Sequence, residues 1–291
     1  MFCLSLFPQE SALFHETRLT MNLKELRNID HLSASSIGDY IDCGLLYKFG
    51  RIDKIVPEFK TDALEFGSAI HLALADFHTE KMKGNCLSVK QLQECFETHW
   101  RKLTDERDDI KYAEGNDPEI LLLKGQELLT AYYNKAPWKE FECIGIEEPF
   151  SFNIKGCPLP VIGSIDLLEK DSSGTIIISD FKTSARSYSF EEIERNFQLI
   201  VYQMAMKDKG YLESDILLRF DCLIKTKQPK FESYYTTRGE TDELRARKKI
   251  ISVAKGIARG IFIPNDSAYN FKCRNCAYKK NCDDWFMEDA A

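Results

Sequence analysis

Apolar residues recur at helical spacing from Ser33 to Gly50, where Ile37, Tyr40, Ile41, Leu45 and Phe49 follow the capping candidates Ser33 and Ser35. The same period predicts helices over 62–83 (Leu64, Ile70, Leu74, Phe77), 89–106 and 118–133, with the charged run 105–109 as a solvated connection. Past Pro137 the texture changes to short runs rich in β-branched residues. Residues 142–154, 159–169 and 175–182 read as three strands, divided by turns at Lys155-Gly156 and Asp171-Ser172-Ser173-Gly174. A helix over 190–209, strands over 216–225 and 231–237, and a helix over 240–259 complete the pattern. The chain is therefore expected to be α/β, with a mixed central sheet flanked by helices.

At 291 residues the chain is long enough for one elaborated domain. The expected organisation is an extension or mobile tail over 1–20, a helical part over 21–137 that carries Cys43 and His71, a sheet-bearing core over 138–262, and a cysteine segment over 263–291. These are read as one integrated domain.

Composition is that of a soluble globular protein, 44% hydrophobic and 29% charged, with no run of membrane-spanning length. The apolar start Met1–Phe7 is short, lacks a basic flank and is followed by Pro8, so it fails as a secretory signal, and a cytoplasmic location is expected. In a reducing compartment the ten cysteines are expected to be thiols or metal ligands. A formal charge of −7 argues against nonspecific coating of nucleic acid and leaves room for a local basic groove.

The chemistry concentrates first at Gly163-Ser164-Ile165-Asp166 and, one turn later, Ile178-Ser179-Asp180-Phe181-Lys182. Alternation along a strand puts Asp180 and Lys182 on one face and Phe181 on the other. Two carboxylates on adjacent strands make a hard oxygen site suited to Mg²⁺ or Mn²⁺, and a lysine beside them can orient or deprotonate an attacking water. The competing reading is a hairpin with surface charges. The apolar run Ile176-Ile177-Ile178 speaks against it, because charges at the end of a buried strand need a reason to be there.

These residues resemble the PD-(D/E)XK nucleases, whose signature is an Asp on one strand and Asp/Glu-x-Lys on the next. The RecB-like branch adds Gly-x-x-x-His on an upstream helix and Gln-x-x-x-Tyr on the following one, matched here by Gly67 to His71 and by Gln198 to Tyr202. The resemblance implies a restriction-endonuclease-like core. It also implies metal ligation by His71, Asp166, Asp180 and the main-chain carbonyl of Phe181, with Lys182, Gln198 and Tyr202 completing the catalytic set. His78, one heptad after His71, reads as a packed histidine.

The second constellation is Cys273-x2-Cys276-x5-Cys282. Three thiolates form an incomplete soft site suited to zinc or an iron–sulfur cluster, so a fourth ligand must come from elsewhere. This layout resembles the iron–sulfur nucleases of the AddB type and those of CRISPR spacer acquisition, in which one N-terminal cysteine joins three C-terminal ones around a [4Fe-4S] cluster. The resemblance implies Cys43 as the fourth ligand. The family's usual Cys-Pro is Cys43-Gly44 here, and His99 and the remaining cysteines are the alternatives. Such a site would join positions more than two hundred residues apart. Lys272, Arg274, Lys279, Lys280, Tyr278 and Trp285 around it would suit contact with a DNA strand.

The function expected from the resemblance is metal-dependent hydrolysis of DNA phosphodiester bonds, with preference for single strands or free ends, in recombination and repair or CRISPR-type defence. No Gly-x-x-x-x-Gly-Lys-Ser/Thr loop is present, so ATP-driven unwinding would need a helicase partner. Rival readings are a noncatalytic DNA-binding or assembly subunit, a zinc-ribbon interaction protein, and a restriction-type endonuclease, for which no sequence-reading domain is visible. The intact Asp166, Asp180 and Lys182 oppose the first rival, and cluster colour separates the second.

Overall fold

Most helices begin where a short polar side chain can accept a hydrogen bond from the first free amides. Ser33, Thr61, Ser88, Asp117, Ser189 and Asn196 do so for the amides of Ser36, Leu64, Gln91, Ile120, Glu192 and Leu199. The computed structural model describes residues 22–267 and 269–288, and the extension read over 1–20 lies outside the described residues. In chain order come α1 (Leu23–Leu26), α2 (Ala34–Asp42), α3 (Gly44–Tyr47), β1 (Lys60–Thr61), α4 (Asp62–Met82), α5 (Val89–Thr104), β2 (Ile110–Lys111) and α6 (Pro118–Lys135). They are followed by β3 (Glu142–Phe152), β4 (Val161–Lys170), β5 (Ile176–Ser184), α7 (Phe190–Glu194) and α8 (Phe197–Asp208). The chain continues through β6 (Ile216–Ile224), β7 (Lys230–Thr236), α9 (Glu240–Ala258), α10 (Phe271–Arg274) and α11 (Lys279–Glu288).

Two of the expected helices are interrupted. The pattern over 33–50 breaks at Cys43, whose φ of −165° and ψ of 119° are extended, and it runs on into a turn of π-helix over Lys48–Ile52. The cause is a contact from far along the chain: the Gly44 amide donates to the Ile263 carbonyl at 2.8 Å. The pattern over 190–209 divides into α7 and α8 because Asn196 takes an extended conformation and caps α8.

The five long strands form one mixed sheet in the order β3-β4-β5-β6-β7. All neighbours are antiparallel except β5 and β6, which run parallel, and α7 and α8 make the crossover between them. A small parallel ladder joins β1 to β2. Among the described residues no helix is long and apolar enough to cross a membrane.

Both faces of the sheet are covered, so β6 is buried along nearly its whole length and β5 from Ile176 to Phe181. On one face Phe181 and Leu223 meet Phe66, Ile70, Phe77, Phe96, Trp100 and Tyr132 from α4, α5 and α6. On the other face Ile178, Leu218 and Phe220 meet Leu199, Tyr202 and Ile250 from α8 and α9. His78 lies buried in the first cluster, 2.7 Å from the Tyr132 hydroxyl and stacked on Phe181, and burial pushes its pKa down to about 3. It is thus a neutral core side chain.

The face with Leu223 also encloses an ion network. Arg219 donates to Glu169 Oε2 at 2.6 Å and to Asp221 Oδ2 at 2.9 Å, while Ser233 donates to Asp221 Oδ1 at 2.6 Å. Lys81 approaches Glu169 Oε1 to 3.6 Å, and burial still pushes the Glu169 carboxyl up despite both cations. These charges span β4 and β6 across the central strand, tying the sheet together beneath α4. Arg219→Ala strands two buried carboxylates and is expected to lower stability by about 3–5 kcal/mol, read as a lower urea midpoint at unchanged slope.

Candidate active site and cysteine cavity

Alternation along β5 delivers Asp180 and Lys182 to the face that packs on α8, with Phe181 turned to the opposite core. Asp180 is fully buried, and Lys182 Nζ lies 2.7 Å from its Oδ2. The other carboxylate oxygen, Oδ1, is buried with no hydrogen-bond partner among the described residues. Lys182 also donates to Gln198 Oε1 at 3.0 Å, and Gln198 Nε2 donates to the Tyr202 hydroxyl at 2.6 Å. One turn of α8 therefore holds the lysine through a relay of two side chains.

Asp166, on β4, accepts the Phe181 amide at 2.8 Å through Oδ2, and the same oxygen lies 3.5 Å from His71 Nδ1. His71 comes from the middle of α4, its ring edge-on to Phe181. The His71–Asp166 contact is not an ion pair at neutral pH. Burial, and then Lys182, hold the imidazole below its usual range, against Asp180, Glu147 and a main-chain hydrogen bond with Phe181.

One acid of this site escaped the sequence reading. Glu147 on β3 lies across the hairpin from Asp166, between the pairs Ile146↔Leu167 and Glu148↔Ile165. Its φ of +46° is left-handed, a conformation that costs a non-glycine residue roughly 1–2 kcal/mol. That backbone brings its carboxylate to the others: ligand atoms of His71, Glu147 and Asp166 lie within 4.8 Å of one another. Ser164 Oγ donates to Glu147 Oε2 at 2.8 Å. A signal was present, since Glu147-Glu148 interrupts an apolar strand, but the register that puts Glu147 opposite Asp166 belongs to the folded hairpin.

Burial, and then the Asp180 charge, push the Asp166 carboxyl well above the usual carboxylate range, with Lys182 opposing them. Lys182 stays above its usual value because Asp180 and Asp166 outweigh its own burial. Burial and the same acids hold Tyr202 protonated. Asp166, Gln198 and Tyr202 open onto a cavity of about 830 Å³, whose lining continues over Tyr47, Arg51 and Lys54.

The second constellation assembles around the break at Cys43. Cys43, Cys273, Cys276 and Cys282 line one cavity of about 270 Å³ together with Leu45, Phe49 and Phe286. Burial, and then the Cys43 and Cys273 thiols, push the Cys276 thiol up; burial, with Cys43 the first of its charged neighbours, pushes Cys282 up to about 11. Asn265 and Asn270 donate to the Asp42 carbonyl at 2.9 and 3.1 Å, and Lys272 pairs with Asp42 at 2.6 Å. A Cβ on Gly44 would come within 2.5 Å of the Ile263 nitrogen, so the glycine after Cys43 is what lets the two segments meet. The alternative ligands stand elsewhere: His99 is held by Asp76 at 2.7 Å, and Cys86, Cys95, Cys143, Cys157 and Cys222 do not line this cavity.

An Asp on one strand and Asp-x-Lys on its antiparallel neighbour, with a helical histidine and an ordered lysine, is the constellation of a hydrolytic nuclease. The family model of the PD-(D/E)XK nuclease superfamily matches residues 31–283, and the chain belongs to that superfamily. Among solved structures, the chain is similar to a "putative exonuclease" from Eubacterium rectale, at 12% identity and TM-score 0.52, covering 92% of this chain and 94% of that one. That likeness is one of fold. SSO0001 is also matched, at 14% identity and TM-score 0.36 over 81% of this chain and 92% of that one. No curated protein is matched.

The raised Asp166 has a consequence for stability. A carboxyl whose folded pKa lies above its unfolded value contributes most below the unfolded value, and the contribution is lost as pH rises through the folded one. Asp166→Asn keeps an acceptor for the Phe181 amide and removes the repulsion. Measured in EDTA at pH 7, its melting temperature is expected to exceed wild type by about 2–4 °C per kcal/mol relieved, and the gap should close toward pH 4. A variant that melts lower than wild type at both pH values would contradict the repulsion.

Proposed function

We propose that the chain is a divalent-metal-dependent DNA nuclease that hydrolyses phosphodiester bonds in single-stranded DNA or at DNA ends. The observation that carries this reading is the convergence of His71, Glu147 and Asp166 beside a buried Asp180 oxygen that lacks a hydrogen-bond partner among the described residues. A neutral imidazole and clustered carboxylates that repel one another are suited to a hard cation such as Mg²⁺ or Mn²⁺. His71, Asp166, Asp180 and the Phe181 carbonyl would hold it, with Glu147 as a further candidate. Such an ion, when bound, supplies charge neutralisation at the scissile phosphate and a lowered pKa for the attacking water.

Among the chain's own residues at this site, Lys182 supplies the positive charge beside the acids. Asp180 and Gln198 hold its ammonium from two sides, and its raised pKa keeps it protonated at neutral pH. It therefore orients the water and stabilises the developing negative charge, and in this state it is a poor general base. Gln198 and Tyr202 act on Lys182 as positioning residues.

The four thiols are chemically suited to a [4Fe-4S] cluster, held by Cys43, Cys273, Cys276 and Cys282. Zn²⁺ is the alternative occupant of the same four thiols. The bound group would hold the C-terminal segment against α2 and α3. A helicase partner and a place in recombination, repair or CRISPR-type defence belong to the same reading.

Cleavage of end-labelled single- and double-stranded DNA, with Mg²⁺ or Mn²⁺ against EDTA, tests it. Asp180→Ala and Lys182→Ala are each expected to lower the rate by about 10²–10³-fold or more with the fold unchanged by circular dichroism. Cleavage that persists in EDTA, or in both variants, would refute the mechanism. For the second site, protein purified without oxygen is expected to be brown and to contain iron and sulfide, and Cys43→Ser to lose the colour and melt earlier. Colourless protein loaded with zinc would assign the site to Zn²⁺ instead.

A further inference from the structure

The wall of the active-site groove contains a segment whose backbone is irregular twice within seven residues. Lys48–Ile52 forms a turn of π-helix, and Lys54 takes a left-handed φ of +52°. Such conformations persist only where the surroundings over-determine them, and they concentrate at functional sites. Here the restraints are evident. The Phe49 ring lines the cysteine cavity and packs on Tyr278, the Asp53 and Ile55 amides donate to Lys48 and Phe49 at 2.9 Å, and Lys48 pairs with Asp53.

The outcome of that restraint is the placement of one charge. Lys54 is exposed and lines the same cavity as Asp166, Gln198 and Tyr202, and so does Arg27 at the end of α1. The other cations of the wall are neutralised, Lys48 by Asp53 and Arg51 by Asp39. Arg27 and Lys54 have no carboxylate or hydrogen-bonding partner for their side chains among the described residues. In a chain of net charge −7, two cations without partners among the described residues, set beside acidic residues of the site, are where a polyanion would be drawn in.

We propose that Arg27 and Lys54 bind backbone phosphates of the nucleic-acid strand, holding it in the groove so that the scissile phosphate reaches Asp166 and Lys182. The assignment rests on the nuclease reading above. It makes the two residues strand-positioning contacts independent of base sequence, and it gives the left-handed backbone at Lys54 a use.

The strain supplies the test. Lys54→Gly relieves the left-handed backbone, so a purely structural role predicts a variant as stable as wild type or more so, with unchanged binding. Binding is measured by fluorescence anisotropy of a labelled single-stranded oligonucleotide, in an Asp180→Asn background that prevents cleavage, over a range of salt. Arg27→Ala and Lys54→Gly are each expected to weaken binding several-fold, equally for different sequences, and to reduce the log–log salt slope by about 0.7. Lys102→Ala, the same charge change on α5 outside the cavity, is the control. Unchanged affinity and slope in both variants, or an equal loss in the control, would overturn the proposal. Cleavage by the protein with Asp180 intact is assayed alongside, so that failure of the nuclease reading appears as no metal-dependent cutting, whatever the variants do.

Discussion

The repulsion between Asp166 and Asp180 is the constraint around which the rest of this molecule is arranged. Two carboxylates on neighbouring strands, both buried, would drive the site apart unless opposite charge stood beside them. Lys182 provides that charge, and because a lysine is flexible it needs Gln198 and Tyr202 to fix it. The parting of β4 from β5 beyond Leu167 and Ser179, the crossover through α8 and the packing of α4 that brings in His71 all serve this one part of the sheet. Burial and the Asp180 charge together hold the Asp166 carboxyl above its usual range, with Lys182 opposing them.

A second long-range constraint sets the shape of the approach to that part of the sheet. The stretch from Cys43 to Lys54 has one side on the cysteine cavity, through Cys43, Leu45 and Phe49, and another on the active-site groove, through Tyr47, Arg51 and Lys54. Whatever orders the cysteines therefore also orders a wall of the groove. The meeting of Gly44 with Ile263, possible only without a side chain at residue 44, makes this wall depend on a segment more than two hundred residues later. The thiols and the acids are separate in chemistry and joined through one short piece of backbone.

Much of this was legible along the chain. The strands over 142–182 and their turns, the helices over 62–83, 89–106 and 118–133, and the same-face placement of Asp180 and Lys182 all follow from periods of two and 3.6. His71, Gln198 and Tyr202 could be singled out because Gly67 to His71 and Gln198 to Tyr202 match the motif spacings of the RecB-like nucleases that the chain resembles. Glu147 could not, because its membership in the site depends on hairpin register and on a left-handed backbone that no periodicity encodes. The breaks at Cys43 and Asn196 were also missed, the first set by a distant chain segment and the second by a cap within an otherwise helical pattern.

The amino-acid order alone determined which residues alternate on a strand, which share a helix turn, and hence that two acids and a lysine would stand together on neighbouring strands, just past the last pair of the β4–β5 ladder. Only the tertiary structure decided that Glu147 joins them, that Cys43 meets Cys273, Cys276 and Cys282, and that Arg27 and Lys54 line the groove without partners among the described residues. Local patterns reflect backbone geometry over a few residues, whereas convergence of distant residues depends on register, twist and close packing of surfaces that are far apart in sequence.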